Sequence, residues 1–265
     1  MKEDNIMKMY MVTHKAVDFI PKGRIPIFVG NGENTQGYIS DNSGDNISNK
    51  NKNYCELTAL YWIWKNSSSS DSVAIEHYRR FFMDPQKIFP TIISQEKINK
   101  LVSDGKVVVP MQRKWAISIG EHYKREHSTK DFNNVHKIIM EEFPDYIEDF
   151  DFVMNGDKAH MYNMAALSKD LFDNYCGWLF KILFELEKIT DLSRRSPYQQ
   201  RAYGFLSERL FNVWLHHNID DKDIVQLPVY ILSNTKIKTI LSNLKNRMVR
   251  RREYVPKKTN VGLKQ

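Results

Sequence analysis

The sequence predicts an α/β fold in which a mixed β-sheet is flanked by helices and the C-terminal half is mainly helical. Two observations support this prediction. Apolar, β-rich segments alternate with segments of helical spacing in the first half, and helical patterns dominate from Glu121 onward. A chain of 265 residues that is 42% hydrophobic can also bury a substantial core. We therefore expect one domain over residues 1–232, followed by a tail over residues 233–265.

Six segments have the composition of strands, because their apolar residues follow one another between polar turns, as in strands buried on both faces. They are Lys8–Thr13, Ile25–Val29, Ser72–Phe82, Lys106–Pro110, Ala159–Leu167 and Ile224–Ile231.

Five segments place apolar residues three to four positions apart, which is the spacing of amphipathic helices. They are Asn53–Lys65, Ser94–Ser103, Glu121–Met154 with a break at Pro144, Asp170–Glu187 and Tyr198–His217. No internal repeat is present, which argues against a solenoid or a propeller.

The net charge of +7 is concentrated at the C-terminus. From Asn234 onward ten Lys and Arg residues accompany one acid, Glu253, so this tail carries +9 and the rest of the chain carries −2. A basic domain would suggest nucleic acid, but no zinc-finger, basic-zipper or RNA-binding signature is present. Nucleic acid is therefore the weaker explanation of the charge.

Neither a secretory signal nor a membrane-spanning run is evident, so we expect a cytoplasmic protein. Cys55 and Cys176 both lie in apolar, helical patterns, where a free thiol behaves as a small hydrophobe. We expect neither a disulfide nor a zinc site.

A charged cluster, His77-Tyr78-Arg79-Arg80, lies at the end of the third predicted strand. Ligands of open α/β sheets collect at the carboxyl ends of strands, and arginines bind phosphate oxygens through two parallel hydrogen bonds. The cluster could therefore hold a diphosphate without a metal. The alternative is a strand end with solvated charges.

A second candidate is the polar loop containing Asp41, Asn42, Asp45 and Asn46, with Lys52 near the start of the next helix. Such side chains can hold a ribose or a sugar phosphate. The loop lacks the Gly and the closing Glu of a calcium-binding EF-hand, so a plain turn is the alternative.

A third candidate is Glu208, on the late helix in Ser207-Glu208-Arg209. At 100° per residue, Glu208 points away from the apolar stripe of that helix. This face therefore contacts either water or a cleft.

Two Asp-x-Asp pairs, Asp149–Asp151 and Asp221–Asp223, resemble the metal-binding motif of many sugar-nucleotide transferases. Neither follows a donor-binding strand, so we assign no metal ligands, although a divalent Mg or Mn ion is compatible with the sequence. Dinucleotide, phosphate-loop, nucleophile-elbow and zinc-protease motifs are absent from the sequence.

Taken in order, several motifs resemble the capsule and O-antigen galactofuranosyltransferase family, long catalogued as a domain of unknown function. The resemblance covers residues 7–232. The motifs are Met11–Lys15, Asp41–Ile47, Asn51–Asn66, His77–Phe81, Tyr162–Met164 and Gly204–Phe211.

The resemblance implies a GT-A type, Rossmann-like fold and transfer of galactofuranose from UDP-galactofuranose to a lipid-linked glycan, with inversion at the anomeric carbon. It implies Glu208 as the general base, which takes the proton of the acceptor hydroxyl. The donor site it implies has Thr13, His14 and Lys15 near the uracil, the loop and Lys52 near the ribose or sugar, His77, Tyr78, Arg79 and Arg80 near the diphosphate, and Tyr162 and Asn163 in the sugar pocket.

One departure from the family pattern is Ala74-Ile75-Glu76, where a Gly-Leu type pair is more usual, and it puts the local strand packing in question. The donor also stays open, because one change in the pocket could select galactopyranose or another hexose. A non-catalytic protein that binds sugar nucleotides or glycans is the alternative from another class.

In the tail, residues 237–249 can form a helix with apolar residues on one side and Lys and Arg on the other. Such helices bind anionic membrane surfaces. We therefore expect peripheral attachment at the inner face of the membrane, beside a polyprenol-linked acceptor. A solvated helix is the alternative.

Overall fold

The computed structural model describes residues 7–67, 72–233 and 235–253, and the predicted α/β class is confirmed within these ranges. The strands are β1 (Lys8–Thr13), β2 (Arg24–Phe28), β3 (Ile39–Ser40), β4 (Val73–His77), β5 (Arg80–Phe82), β6 (Val107–Pro110), β7 (Arg113–Lys114), β8 (Lys158–Ala159), β9 (Ala165–Leu167), β10 (Ile224–Leu227) and β11 (Val229–Ile231). The helices are α1 (Asn51–Tyr54), α2 (Leu57–Asn66), α3 (Gln95–Ser103), α4 (Ile119–Glu126), α5 (Thr129–Glu142), α6 (Ile147–Asn155), α7 (Lys169–Lys188), α8 (Ala202–Asn218) and α9 (Lys236–Glu253).

The main sheet is mixed and has the strand order β10-β6-β9-β4-β1-β2-β3, with β5 and β11 attached beside β4. Strand β1 is parallel to both β2 and β4, whereas β9 is antiparallel to β4 and β6. The carboxyl ends of β1, β2 and β4 therefore lie at one edge of the sheet, where ligands of α/β proteins collect.

Both faces of the sheet are covered, and the side chains of β1 show how. Tyr10 and Val12 belong to the larger core, which contains buried residues of α2, α7 and α8, while Met9 joins the smaller core around α3. Burial on both faces explains why β1 reads as a continuous apolar run instead of an alternating one.

The single helix predicted over Asn53–Lys65 is interrupted at Cys55, which has φ 53° and ψ −129°. The carbonyl oxygen of Cys55 accepts hydrogen bonds from the Asn51 amide at 2.8 Å and the Thr58 hydroxyl at 3.1 Å. These side chains add to the Thr58 N–H of α2, which donates to the same carbonyl at 3.3 Å. The apolar spacing continues across the break, so the pattern alone could not reveal it.

The strand predicted over Ser72–Phe82 is divided into β4 and β5 by a turn at Tyr78 and Arg79, and two later predicted strands are divided as well. Pro228 separates β10, which pairs with β6, from β11, which pairs with β5, because proline has no N–H to continue a ladder. The segment predicted as a strand over Ala159–Leu167 contains β8 and β9 joined by a turn at Tyr162 and Asn163. In both cases the apolar composition was that of one strand.

Helix α9 covers the free edge of β11 with polar side chains. Asn243 accepts a hydrogen bond from the Ile231 N–H at 2.7 Å and donates one to the Ile231 carbonyl at 3.1 Å. Asn246 donates to the Val229 carbonyl at 3.1 Å. Edge strands that expose unpaired N–H and C=O groups promote association, and this helix removes that exposure.

Candidate active site

A cleft of about 590 Å³ opens at the carboxyl ends of β1 and β4. It lies between this edge of the sheet, the α1–α2 break and the start of α8. The residues that line it are Val12, Thr13, His14, Val29, Asn51, Lys52, Cys55, Glu56, His77, Tyr78, Arg79, Arg80, Pro197, Arg201 and Ile231. Of the predicted donor residues, the structure therefore brings together Thr13, His14, Lys52, His77, Tyr78, Arg79 and Arg80.

The end of β1 forms one wall of the cleft. The Thr13 hydroxyl donates a hydrogen bond to the Lys15 carbonyl at 2.7 Å, which turns the chain sharply after the strand. The His14 ring packs edge-on against Tyr78, with ring centroids 5.3 Å apart, and the Lys15 ammonium lies 5.5 Å from the same tyrosine ring. Desolvation lowers the pKa of His14, and the nearby cations Lys15 and Arg201 lower it further. A neutral imidazole is therefore favoured here near pH 7.

Three guanidinium groups converge on the cleft from different elements. Arg79 lies in the β4–β5 turn and its Nε donates to the Leu232 carbonyl at 3.4 Å. The Arg80 guanidinium lies 4.7 Å from the centroid of the Tyr162 ring. Arg201 donates from Nε to the Cys55 thiol at 3.2 Å. These contacts are with a carbonyl, a ring and a sulfur, so the charges remain available to an anion.

His77 ends β4 at the floor of the cleft. Its Nε2 lies 2.5 Å from the Tyr162 carbonyl oxygen, so this nitrogen carries the proton that is donated. Burial lowers the pKa of His77 and Arg80 lowers it too, while Glu56 and the Tyr162 carbonyl oppose this shift. The neutral ring then leaves Nδ1 as an acceptor.

Tyr162 and Asn163 form a turn directly behind the lining residues, and both have positive φ, 82° and 49°. The Tyr162 N–H donates to Glu208 at 2.9 Å. Asn163 donates from its amide to Glu56 at 2.8 Å and accepts from the Ser207 hydroxyl at 3.1 Å. The turn thus connects β4, the α1–α2 break and α8, and its two residues act on the cleft through their neighbours.

Glu208 lies at the buried end of this arrangement, and its face of α8 contacts protein instead of open water. One carboxylate oxygen accepts from Tyr162, and the other pairs with the Arg209 guanidinium at 2.9 Å. Only 16% of its side chain is exposed. Burial raises the pKa of Glu208, and Glu56 adds to this, whereas Arg209 lowers it. Glu208 is beside the cleft, and its role as the base stays a prediction.

The predicted sugar loop lies outside the cleft, against α2. Asp45 accepts a hydrogen bond from the Tyr61 hydroxyl at 3.1 Å, and Asn46 caps the following turn through the Ser48 N–H at 3.2 Å. Asp41 is buried, which raises the pKa of its carboxyl group, and Asn42 is exposed. A role for these four residues in binding a donor remains a prediction.

Sequence reasoning missed two charged residues of the cleft, Glu56 and Arg201. Glu56 was assigned to a continuous helix, and the helix break at Cys55 that places it in the cleft has no signal in the apolar spacing. Arg201 shares the helix face of Glu208, so the helical periodicity contains a signal for it.

In the described part of the chain, no group of three or more His, Cys, Asp or Glu side chains could hold a metal ion. Asp149, from the first Asp-x-Asp pair, lies 2.7 Å from the imidazole of His217. Asp223, from the second, pairs with Lys106 at 2.7 Å.

Both cysteines are free thiols. None of the described helices is long and apolar enough to cross a membrane.

The profile of the family described as "Domain of unknown function (DUF4422)" matches residues 8–219. Among solved structures, the chain is similar to the apo structure of the WbbM bifunctional glycosyltransferase, with 30% sequence identity and a TM-score of 0.78. The similarity covers 87% of this chain and 46% of that one, so the chain spans just under half of that protein. No functionally curated protein matches. Since the profile match takes in most of the sheet and α1 to α8, the chain belongs to the DUF4422 family.

Proposed function

We propose that this protein is a glycosyltransferase that uses a UDP-sugar as donor. The observation that carries the proposal is the cleft itself, in which Arg79, Arg80 and Arg201 meet one carboxylate, Glu56, at the carboxyl edge of a Rossmann-like sheet. Similarity to a bifunctional glycosyltransferase supports the same activity.

In this proposal the cations hold the diphosphate. Guanidinium groups bind phosphate oxygens in pairs of hydrogen bonds, and Lys52 adds a fourth positive charge to the cleft lining. Thr13, His14 and Lys15 lie at the end of β1, where a uracil ring could pack beside Tyr78. Positive charge placed before the reaction stabilises the negative charge that develops on the leaving UDP.

Transfer is proposed to proceed by one in-line displacement with inversion. The acceptor oxygen forms a bond to the anomeric carbon while the bond from that carbon to the diphosphate oxygen breaks. The electron pair of the broken bond leaves with UDP, and a carboxylate takes the acceptor proton. Two neighbouring carboxylates beside the cleft, Glu208 and Glu56, are candidates for this base.

The family resemblance of the sequence favours galactofuranose as the sugar and a lipid-linked surface glycan as the acceptor, and both belong to the proposal. Galactopyranose or another hexose is the alternative donor.

Helix α9 supports a membrane-bound acceptor. Its polar side docks on β11, while Ile240, Leu241 and Leu244 are 56%, 62% and 37% exposed. The helix sequence carries seven Lys and Arg and one acid, Glu253. We propose that this apolar ridge and the basic residues bind an anionic bilayer. The side chains of residues 236, 237 and 247–253, which include Ile237, Met248 and five of the seven basic residues, and all of residues 254–265, lie outside the described part of the chain.

The test is to incubate the protein with UDP-galactofuranose, UDP-galactose and UDP-glucose and a synthetic polyprenol-linked glycan, and to measure UDP release and glycan mass. Transfer from one donor supports the proposal and identifies the sugar. UDP binding without release or transfer would support the non-catalytic alternative, and absence of both would refute the proposal.

A further inference from the structure

Glu56 and Glu208 both lie near the cleft, but their surroundings differ. Glu56 lines the cleft, whereas Glu208 does not. Both oxygens of Glu208 already have partners, the Tyr162 N–H and the Arg209 guanidinium. Glu56 has one oxygen, Oε1, held by the Asn163 amide at 2.8 Å, and its Oε2 accepts no hydrogen bond from any residue that the structure describes.

A general base must reach the proton that it removes and must have a free lone pair for it. Glu56 meets both conditions, since it lines the cleft, and while Asn163 fixes one of its oxygens the other has no hydrogen-bond partner among the described residues. Glu208 does not line the cleft, and its ion pair with Arg209 favours the charged carboxylate, so a proton taken there would weaken that pair.

The backbone around Glu56 indicates that its position is specified. Cys55, the preceding residue, has φ 53°, and Asn163, which holds the carboxylate, has φ 49°. Positive φ is unfavourable for most residues other than glycine, although asparagine tolerates it, and it persists where surrounding contacts impose it, often at functional sites. The helix break and the turn therefore converge on one carboxylate.

We infer that Glu56, and not Glu208, takes the proton of the acceptor hydroxyl, and that Glu208 is a positioning residue for the Tyr162–Asn163 turn. This inference rests on the proposed glycosyl transfer. The acceptor O–H proton moves to Glu56 Oε2 as the acceptor oxygen bonds to the anomeric carbon, and the pair from the broken C–O bond leaves with UDP. The Glu56 carboxylic acid then releases its proton to water.

Glu208 acts through the turn. By accepting from the Tyr162 N–H it helps to hold the Tyr162 carbonyl that binds His77 and the ring that lies under Arg80. It thereby fixes two lining residues without touching substrate.

The experiment compares Glu56→Gln, Glu208→Gln and Glu208→Ala, with transfer rate, UDP affinity by calorimetry and melting temperature measured for each. We expect Glu56→Gln to lower kcat by about 100-fold or more, the contribution of a general base, with UDP affinity unchanged within about threefold. We expect Glu208→Gln to keep kcat within about tenfold of the wild-type value, because its amide oxygen can still accept the hydrogen bond from Tyr162. Glu208→Ala removes that acceptor, so we expect it to lower kcat further and also to weaken UDP binding.

Glu56→Asp, which keeps the charge but shortens its reach, gives a second reading should Glu56→Gln not fold, and we expect a loss of about tenfold or more. Rapid transfer by Glu56→Gln, or a loss in Glu208→Gln as large as in Glu56→Gln with UDP still bound, overturns the inference alone. A wild-type protein that neither binds UDP nor transfers any of the three sugars overturns the proposed function, and the inference with it.

Discussion

The buried ion pair between Arg24 and Glu76 should control both stability and donor binding. Glu76 is fully buried on β4, and its two oxygens accept hydrogen bonds from Arg24 Nε at 2.8 Å and from the Phe82 N–H at 2.7 Å. Arg24 also donates to the Ile93 carbonyl at 2.8 Å. The departure at Ala74-Ile75-Glu76 therefore does not disturb the strand packing, because Glu76 has a specific partner and its hydrogen bonds link β2, β4 and β5.

Replacing Glu76 with Leu leaves the Arg24 charge and the Phe82 N–H buried without their partner. Removing one member of a buried pair costs about 3–5 kcal/mol, since burial opposes the remaining charge. Arg24→Met should cost a similar amount. The double variant should lose less than the sum of the two, because it leaves no unpaired charge. As Glu76 lies next to His77, UDP affinity should also fall in Glu76→Leu.

Urea denaturation at pH 7 measures the free energy of unfolding of each variant. The matched control is Glu121→Gln, which breaks the exposed pair with Arg125 on α4 and should change stability by less than about 0.5 kcal/mol. A Glu76→Leu variant within about 0.5 kcal/mol of this control would refute the reasoning, because a buried, unpaired guanidinium cannot be that well tolerated.

Three further outcomes are expected. Burial lowers the pKa of His160 from 6.5 to about 4, so the unfolded chain binds a proton below pH 6.5 that the folded chain refuses; stability should fall by up to about 3 kcal/mol between pH 7 and pH 4. Urea denaturation of His160→Gln across this range should show a shallower fall, and an identical slope would contradict the assignment. Arg80→Met should weaken UDP binding about tenfold or more by calorimetry, whereas Arg125→Met on α4 should leave it unchanged. Deleting residues 235–265 should reduce sedimentation with anionic vesicles, and equal binding of both forms would end the membrane proposal.

Much of the sheet was predictable, because its central strands are buried on both faces and therefore appear as continuous apolar runs. Strand β1 was predicted with the observed bounds, Lys8–Thr13. Strand ends and breaks were less predictable. Pro228 divides the last predicted strand between two partners, and which strand lies beside each half depends on tertiary pairing that local composition does not encode.

The site was predictable where it follows a strand and not where it depends on a break in a helix. His77 to Arg80 stand at a strand end in the sequence and line the cleft in the structure. The position of Glu56 depends on the helix break at Cys55. The sequence does not reveal this break, because the apolar spacing of α1 and α2 is that of one helix. The polar loop from Asp41 to Asn46 has the composition of a site for a ribose or sugar phosphate, but hydrogen bonds to Tyr61 and Asn66 hold it against α2.

The distribution of backbone strain connects these observations. In the described residues, the non-glycine positions with positive φ are Cys55, Tyr162 and Asn163, and all three adjoin the cleft. Local propensity disfavours this conformation for Cys55 and Tyr162, though less for Asn163, because asparagine tolerates positive φ. Contacts therefore impose it, from Asn51 and Thr58 on the Cys55 carbonyl and from Glu208 on the Tyr162 N–H. A turn needed only to connect β8 to β9 could use glycine and avoid this cost. The strain at Cys55 and at the Tyr162–Asn163 turn therefore supports the inference that the position of the Glu56 carboxylate matters, as proton removal from an acceptor would require.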